Sequence, residues 1–293
     1  PSVRALSQTL SANPNTLHVS TALDCIAAGV PVLLEKPVGV HLDEVRELIA
    51  ASRNAGVPVL VGHHRRHNPL IVRARELVEE GSLGRLTTVT ALWQLQKPDS
   101  YFDIPWRREP GAGMLLTNLI HDLDLLRHLC GEVAEVQALT GNGVRGFANE
   151  DSAAVLLRFA NGALGTLTGS DAVAAPWSWE LDSGENPVYP RLGDQSCYLL
   201  AGTRGALSIP QLARWHYAEP GAGWHQPLLC SQESCVPGEA LALQLRHFVR
   251  VARGEVAPLV SAADAGNTLA LLEAIQRAAA SGRTCAPELL SIQ

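Results

Sequence analysis

No Cys-x-x-Cys pair occurs in the chain, so zinc ribbons and thioredoxin-like redox motifs have no support. The six cysteines (Cys25, Cys130, Cys197, Cys230, Cys235 and Cys285) are scattered, mostly in apolar surroundings, and read as small buried thiols. A basic stripe is also missing. Lys and Arg number 23 against 29 Asp and Glu, the formal charge of −6 is spread along the chain, and Arg65-Arg66 beside three histidines is too short to form a nucleic-acid surface. No long uncharged apolar run is present to span a bilayer. Residues 1–10 lack the basic-then-apolar build of a signal peptide. Internal repeats and low-complexity linkers are absent too. The expectation is a cytoplasmic protein with neither nucleic-acid nor membrane partners.

What the chain does have is apolar mass. With 46% hydrophobic and 18% charged residues over 293 positions, it predicts a substantial core, in two domains or one large one. Apolar periodicity predicts helices over 16–28, 42–55 and 69–80, the last capped by Asn68 with Pro69 at its first position. Wholly apolar runs at 30–34 and 57–61 predict strands buried on both faces, hence a parallel pair with a right-handed crossover. From Leu86 the pattern changes. Strands are expected over 86–96, 133–140, 152–160, 163–170, 197–201 and 206–209, with Asn161-Gly162 as a hairpin turn. Helices are expected over 114–129, 240–252 and 262–280, and 174–195 reads as a long functional loop. The fold class is thus α/β plus α+β: a truncated Rossmann-like parallel sheet, then a mostly antiparallel open sheet with helices on one face.

Glu35-Lys36-Pro37 closes the first apolar strand, where ligands bind in open α/β sheets. A lysine there can hold a substrate hydroxyl or pass its proton; a glutamate can keep it charged or bind ribose hydroxyls. The bland alternative is a surface ion pair. Further on, Gly111-Ala112-Gly113 opens a helix on which Thr117 and His121 stand four apart on one face, with Asn118 and Asp122 one step around. His63, His64 and His67 have no accompanying cysteine or carboxylate, so no metal site is expected. The one literal GxGxxG, Gly141 to Gly146, leads into a strand rather than a helix and reads as a sheet connection.

Taken together, these segments resemble the Gfo/Idh/MocA family of nicotinamide-dependent oxidoreductases. The motifs are Asn13-Pro14-Asn15-Thr16-Leu17-His18, Glu35-Lys36-Pro37, Gly62-His63-His64-Arg65-Arg66-His67-Asn68-Pro69, Trp106-Arg107 and the glycine-to-histidine helix, in the family's order. The resemblance implies hydride transfer between a sugar- or cyclitol-like secondary alcohol and NAD or NADP. It implies Lys36 orienting the hydroxyl and His121 as general acid/base. Asn13, Asn15, His18, Glu35, Lys36, Arg66, Trp106 and Arg107 would line the cofactor side, and Thr117 and Asn118 the substrate side. Many members carry an aspartate where Thr117 stands here, so substrate gripping is expected to differ. Trp179, in the segment from Trp177 to Tyr189, either offers a sugar a stacking surface or fills the sheet core. Homo-oligomers are expected by resemblance alone. The expected division is a Rossmann remnant over 1–85 and an α+β substrate and oligomerisation domain over 86–293. The glycine-rich phosphate unit expected upstream of Asn13 is missing, which suggests a shortened chain; a non-catalytic binding or assembly protein on the same scaffold is the competing expectation.

Overall fold

A computed structural model describes residues 9–11 and 14–291 of the chain. Strands β1 (Thr9–Ser11), β2 (Val32–Leu34) and β3 (Val59–Val61) form a parallel sheet in that order. Parallel neighbours need crossovers, and helices α1 (His18–Ala27) and α2 (Leu42–Ala55) supply them. Strands β2 and β3 are buried along their whole length, which explains why they carry no polar alternation. Helix α2 has Asp43 and Glu44 in its first turn and stops on Gly56 at φ 63°, a left-handed position that glycine takes without strain. Helix α3 (Pro69–Glu79) begins where the Asn68 side chain accepts the Leu70 N–H at 3.0 Å.

The second sheet has eight strands: β4 (Leu86–Gln94), β5 (Val133–Gly141), β6 (Ser152–Phe159), β7 (Leu164–Ser170), β8 (Tyr198–Gly202), β9 (Gly205–Ile209), β10 (Ala213–His216) and β11 (Leu229–Gln232). Their order is β11-β10-β9-β8-β4-β7-β6-β5, antiparallel throughout except between β4 and β7. Burial alternates along β6 and β7, so one face is core and the other is open. Helices α4 (Ile120–Cys130), α5 (Trp179–Asp182), α6 (Ala240–Ala252) and α7 (Ala262–Ser281) complete the fold. Helix α7 packs on both β5 and α2, tying the two sheets together.

Several expectations change. The helix expected over 114–129 is two pieces, a π-helical turn at Leu115–Leu119 and then α4. The polar composition of residues 1–12 hides β1, which pairs through its main chain in register with β2. Strands β10 and β11 were not foreseen, and 174–195 is not all loop, because it contains α5. Only Cys130 and Cys197 are buried; Cys25, Cys235 and Cys285 are half-buried and Cys230 is exposed, although all are free thiols. The Gly141–Gly146 segment is a turn between β5 and β6, closed by the Val144 and Arg145 N–H groups donating to the Asp151 carboxylate at 2.9 and 2.8 Å. Among the described residues, no helix is long and apolar enough to cross a membrane, and no group of metal-ligating side chains clusters.

Candidate active site

Lys36 leaves the carboxyl end of β2, and its ammonium donates to the Thr117 carbonyl at 2.9 Å. One helical turn separates that carbonyl from His121. Several local devices hold the lysine in place. His18 Nδ1 lies 2.6 Å from the Pro37 carbonyl, tying the start of α1 to the peptide after Lys36. The Glu35 carboxylate accepts the Lys36 N–H at 3.3 Å and lies over Gly62, where a Cβ would stand 3.3 Å from it. On the other side, Glu150 accepts the Leu115 N–H at 2.9 Å and starts the histidine helix. Its carboxylate fills the space a side chain at 113 would need, 2.1 Å from an added Cβ, so glycine stands there.

His121 sits in the first turn of α4, nearly enclosed, and its buried Nδ1 finds no hydrogen-bond partner among the described residues. The rings of His64 and His63 stand edge-on to it, with centroids 5.3 and 6.2 Å away. Burial first, then the charges of Lys36 and Arg65, hold the His121 imidazole well below its ordinary pKa, so it is neutral at physiological pH. Burial, followed by repulsion from Arg65, brings the Lys36 ammonium down to about 8. A neutral imidazole and an easily deprotonated ammonium in one neighbourhood are suited to proton transfer.

Beneath them lies a buried polar network. Arg65 donates to Glu180 at 2.7 Å and stands 3.8 Å from Asp122. Tyr198 donates its hydroxyl to Asp122 at 2.5 Å, and the Trp93 indole N–H donates to Glu180 at 3.1 Å. Burial lifts the Asp122 carboxyl to about 7 against the pull of Arg65. A carboxyl whose folded pKa is raised contributes stability that is complete at low pH and is lost as pH rises through about 7. Asp122→Asn removes that dependence. Its stability relative to the original chain should therefore grow by on the order of 2 kcal/mol from about pH 5 to about pH 8. Urea unfolding at the two pH values measures this.

The other expected residues divide into groups. Asn15 lies exposed in the turn after β1, and Asn13 lies outside the described residues. The Thr117 hydroxyl faces the Gly113 carbonyl and the Asn118 side chain, at 2.9 Å each, so Lys36 meets the main chain of Thr117 and not its side chain. Arg107 stacks 4.0 Å over the Tyr101 ring and donates to the Tyr101 carbonyl, with Trp106 exposed beside it. Lys97, over the same ring at 4.8 Å and paired with Asp171 at 3.3 Å, links this cluster to the charge around Lys36.

Two expectations are corrected. Arg66 does not line a cofactor seat: it is buried, and its guanidinium is spent on Asp124 at 2.7 and 2.8 Å and on Asp264. Trp179 has no open face for a sugar, being 1% exposed and packed against Tyr198 and the Arg65 guanidinium. Asp122 stands out in the sequence as a polar neighbour of His121, whereas sequence reasoning missed the roles of Arg65, Glu180 and Glu185 and the placement of His64. Their only sequence signal is the polar run from His63 to Asn68 and the acids in an otherwise Trp-, Pro- and Gly-rich loop.

Comparison with known proteins settles the family. The NAD-binding Rossmann-fold model of the Gfo/Idh/MocA oxidoreductase family matches residues 10–63, and the model of the family's C-terminal domain matches 71–208. The chain belongs to the Gfo/Idh/MocA oxidoreductase family. Among its relatives, the uncharacterized oxidoreductase YrbE of Bacillus subtilis is 31% identical over 54% of this chain and 47% of its own length. D-apiose dehydrogenase of Paraburkholderia graminis is 28% identical over 91% of this chain and 68% of its own. The chain thus spans about half of the first relative and about two thirds of the second. The WlbA dehydrogenase of Bordetella pertussis, solved with NADH and UDP-GlcNAcA, shares the fold at a TM-score of 0.75 and 24% identity, over 98% of this chain and 79% of that one. In this Gfo/Idh/MocA chain, the Lys36 and His121 motifs fall on the two separately matched stretches, and the fold brings them together.

Proposed function

We propose that this Gfo/Idh/MocA chain carries the catalytic half of an NAD(P)-dependent dehydrogenase that oxidises a secondary alcohol of a sugar or cyclitol, or reduces the corresponding ketone. The observation that carries the reading is the Lys36 ammonium anchored on the Thr117 carbonyl, one helical turn from a neutral His121. Among the described residues that ammonium spends one donated bond, so it has protons left for a substrate oxygen. The residues also fit a nicotinamide. Asn15, Glu35 and Lys36 stand at the carboxyl ends of parallel strands, and glycine at 62 leaves room beside the Glu35 carboxylate. Bound there, the nicotinamide supplies the ring carbon that takes up or returns a hydride.

In the oxidation direction Lys36 grips the hydroxyl oxygen and keeps it oriented. His121, neutral because it is buried near two cations, takes the hydroxyl proton at Nε2; in reduction it returns that proton. Lys97 and the Arg107–Tyr101 stack lie toward the substrate's other polar groups, and Asn118 is available to an oxygen. The division into a nucleotide-binding part over 1–85 and a substrate part over 86–293 follows from the same reading. Leu139, Leu156 and Leu164, exposed on the open face of the second sheet, fit self-association of that part, and six free thiols fit a reducing cytoplasm.

Fluorescence titration with NADH and NADPH, followed by a screen of polyols and inositols with both oxidised nicotinamides, tests the proposal. A saturable change and turnover with at least one polyol are expected. Absence of both would leave a non-catalytic scaffold.

A further inference from the structure

A proton taken by His121 needs a way out, because this ring is nearly enclosed and its own helix offers none. The Thr117 hydroxyl is turned to Gly113 and Asn118, and Asp122 is held by Tyr198 and lies against Arg65. Lys36 is half-buried as well but is taken up with the substrate oxygen, and of the two histidine rings against His121 the one that reaches solvent is His64. Its side chain is 24% exposed, its ring stands edge-on to His121 at 5.3 Å, and its Nε2 lies 3.0 Å from Glu185 Oε1. Glu185 is itself fixed, since its other oxygen accepts the Asn68 amide at 2.6 Å.

We infer that His64, oriented by Glu185, relays protons between His121 and bulk water. An ionised carboxylate only accepts, so Glu185 fixes the hydrogen of His64 on Nε2 and leaves Nδ1 as a lone-pair acceptor. Burial works against the Glu185 charge, but the bond from His64 and the nearby Arg65 and Asn68 outweigh it and keep the carboxylate ionised. The proton balance is then simple. The substrate hydroxyl proton enters His121 at Nε2, and a proton leaves from its unpartnered Nδ1. The rings are not hydrogen-bonded at rest, so the hop follows a turn of the His121 ring toward His64. His64 receives the proton at its own Nδ1 and releases it to water while Glu185 holds the Nε2–H. The return turn of the His121 ring carries its remaining hydrogen back to the Nδ1 side and frees the site facing the substrate for the next proton. Ketone reduction runs the same hops backwards. The groups facing the relay are Glu185 from the segment after α5, His121 from α4, Arg65 and His67 from its own turn, and Lys36 and His63 on the far side of His121. His64 acts through His121 and is a positioning and relay residue rather than a catalytic one.

The relay rests on the dehydrogenase reading, so two separate measurements test it. In weakly buffered solution, His64→Ala should turn over roughly tenfold or more slowly, less than the loss of a direct acid–base group, and free imidazole should restore the rate. His64→Gln keeps a donor to Glu185 but carries no proton, and should show the same loss with the fold intact. Full turnover in either variant at all buffer concentrations would overturn the relay, as would a loss in His64→Ala that imidazole leaves untouched. The second measurement needs no turnover: ¹⁵N NMR of the cofactor-free chain should show His64 as the Nε2–H tautomer, changing to a mixture in Glu185→Gln. An Nδ1–H tautomer in the original chain would overturn the relay. Absence of any NAD(P)-dependent turnover would instead sink the dehydrogenase reading and leave the tautomer to decide this one.

Discussion

Lys36→Met should cut turnover by about 10²- to 10⁴-fold while leaving the chain folded and still able to bind NADH. Methionine keeps most of the stem's volume and removes only the ammonium, so the loss reports the grip on the substrate oxygen rather than a cavity. A second consequence follows from burial and Arg65 bringing that ammonium down to about 8. As pH rises through this value the donor becomes neutral, and KM for the alcohol should climb. In Lys36→Met the climb should vanish, because no proton remains there to lose. Steady-state kinetics across the neutral-to-alkaline range measures both effects. Unchanged turnover in the variant would mean that Lys36 has no part in the chemistry.

Arg66→Leu should destabilise the fold by about 3–5 kcal/mol, the largest stability effect expected from any single substitution near the site. The guanidinium is enclosed between Asp124, which it meets through two nitrogens, and Asp264 at the start of α7. Removing it leaves the Asp124 carboxylate in low dielectric with the Thr268 hydroxyl donating to it, whereas Asp264 keeps Arg127 at 2.9 Å. Asp124 is affected most, since Arg66 overcomes its burial and holds its carboxyl far below the usual range. Arg66→Lys keeps a charge but not the planar fork, and should fall between the two. Urea midpoints rank the three chains, and a leucine variant as stable as the original would show that the cluster contributes little.

Arg66 also shows where sequence reading reaches its limit. Family resemblance alone puts Arg66 on the cofactor side. Its actual partners stand 58 and 198 positions away, and nothing in the local pattern announces them. For Trp179 the sequence leaves a stacking surface and a place in the sheet core equally open, and only the folding of its loop back on β8 decides for the core. Helix α2 was fully legible, because its apolar period, its acidic first turn and Gly56 all give the same boundaries. The hairpin at Asn161-Gly162 was legible through turn chemistry, with Gly162 at φ 90°. Strand β1 left no such trace, since three residues pairing through main-chain groups need no apolar signature. The π-helical turn was hidden too, because a single widened turn barely disturbs the spacing of apolar residues.

The bond from Lys36 to residue 117 ends on a peptide oxygen, and every amino acid supplies one. A mutation at this position can exchange a carboxylate for a hydroxyl without cutting the lysine loose. Substitutions here are therefore free to retune what the site grips while the ammonium stays seated.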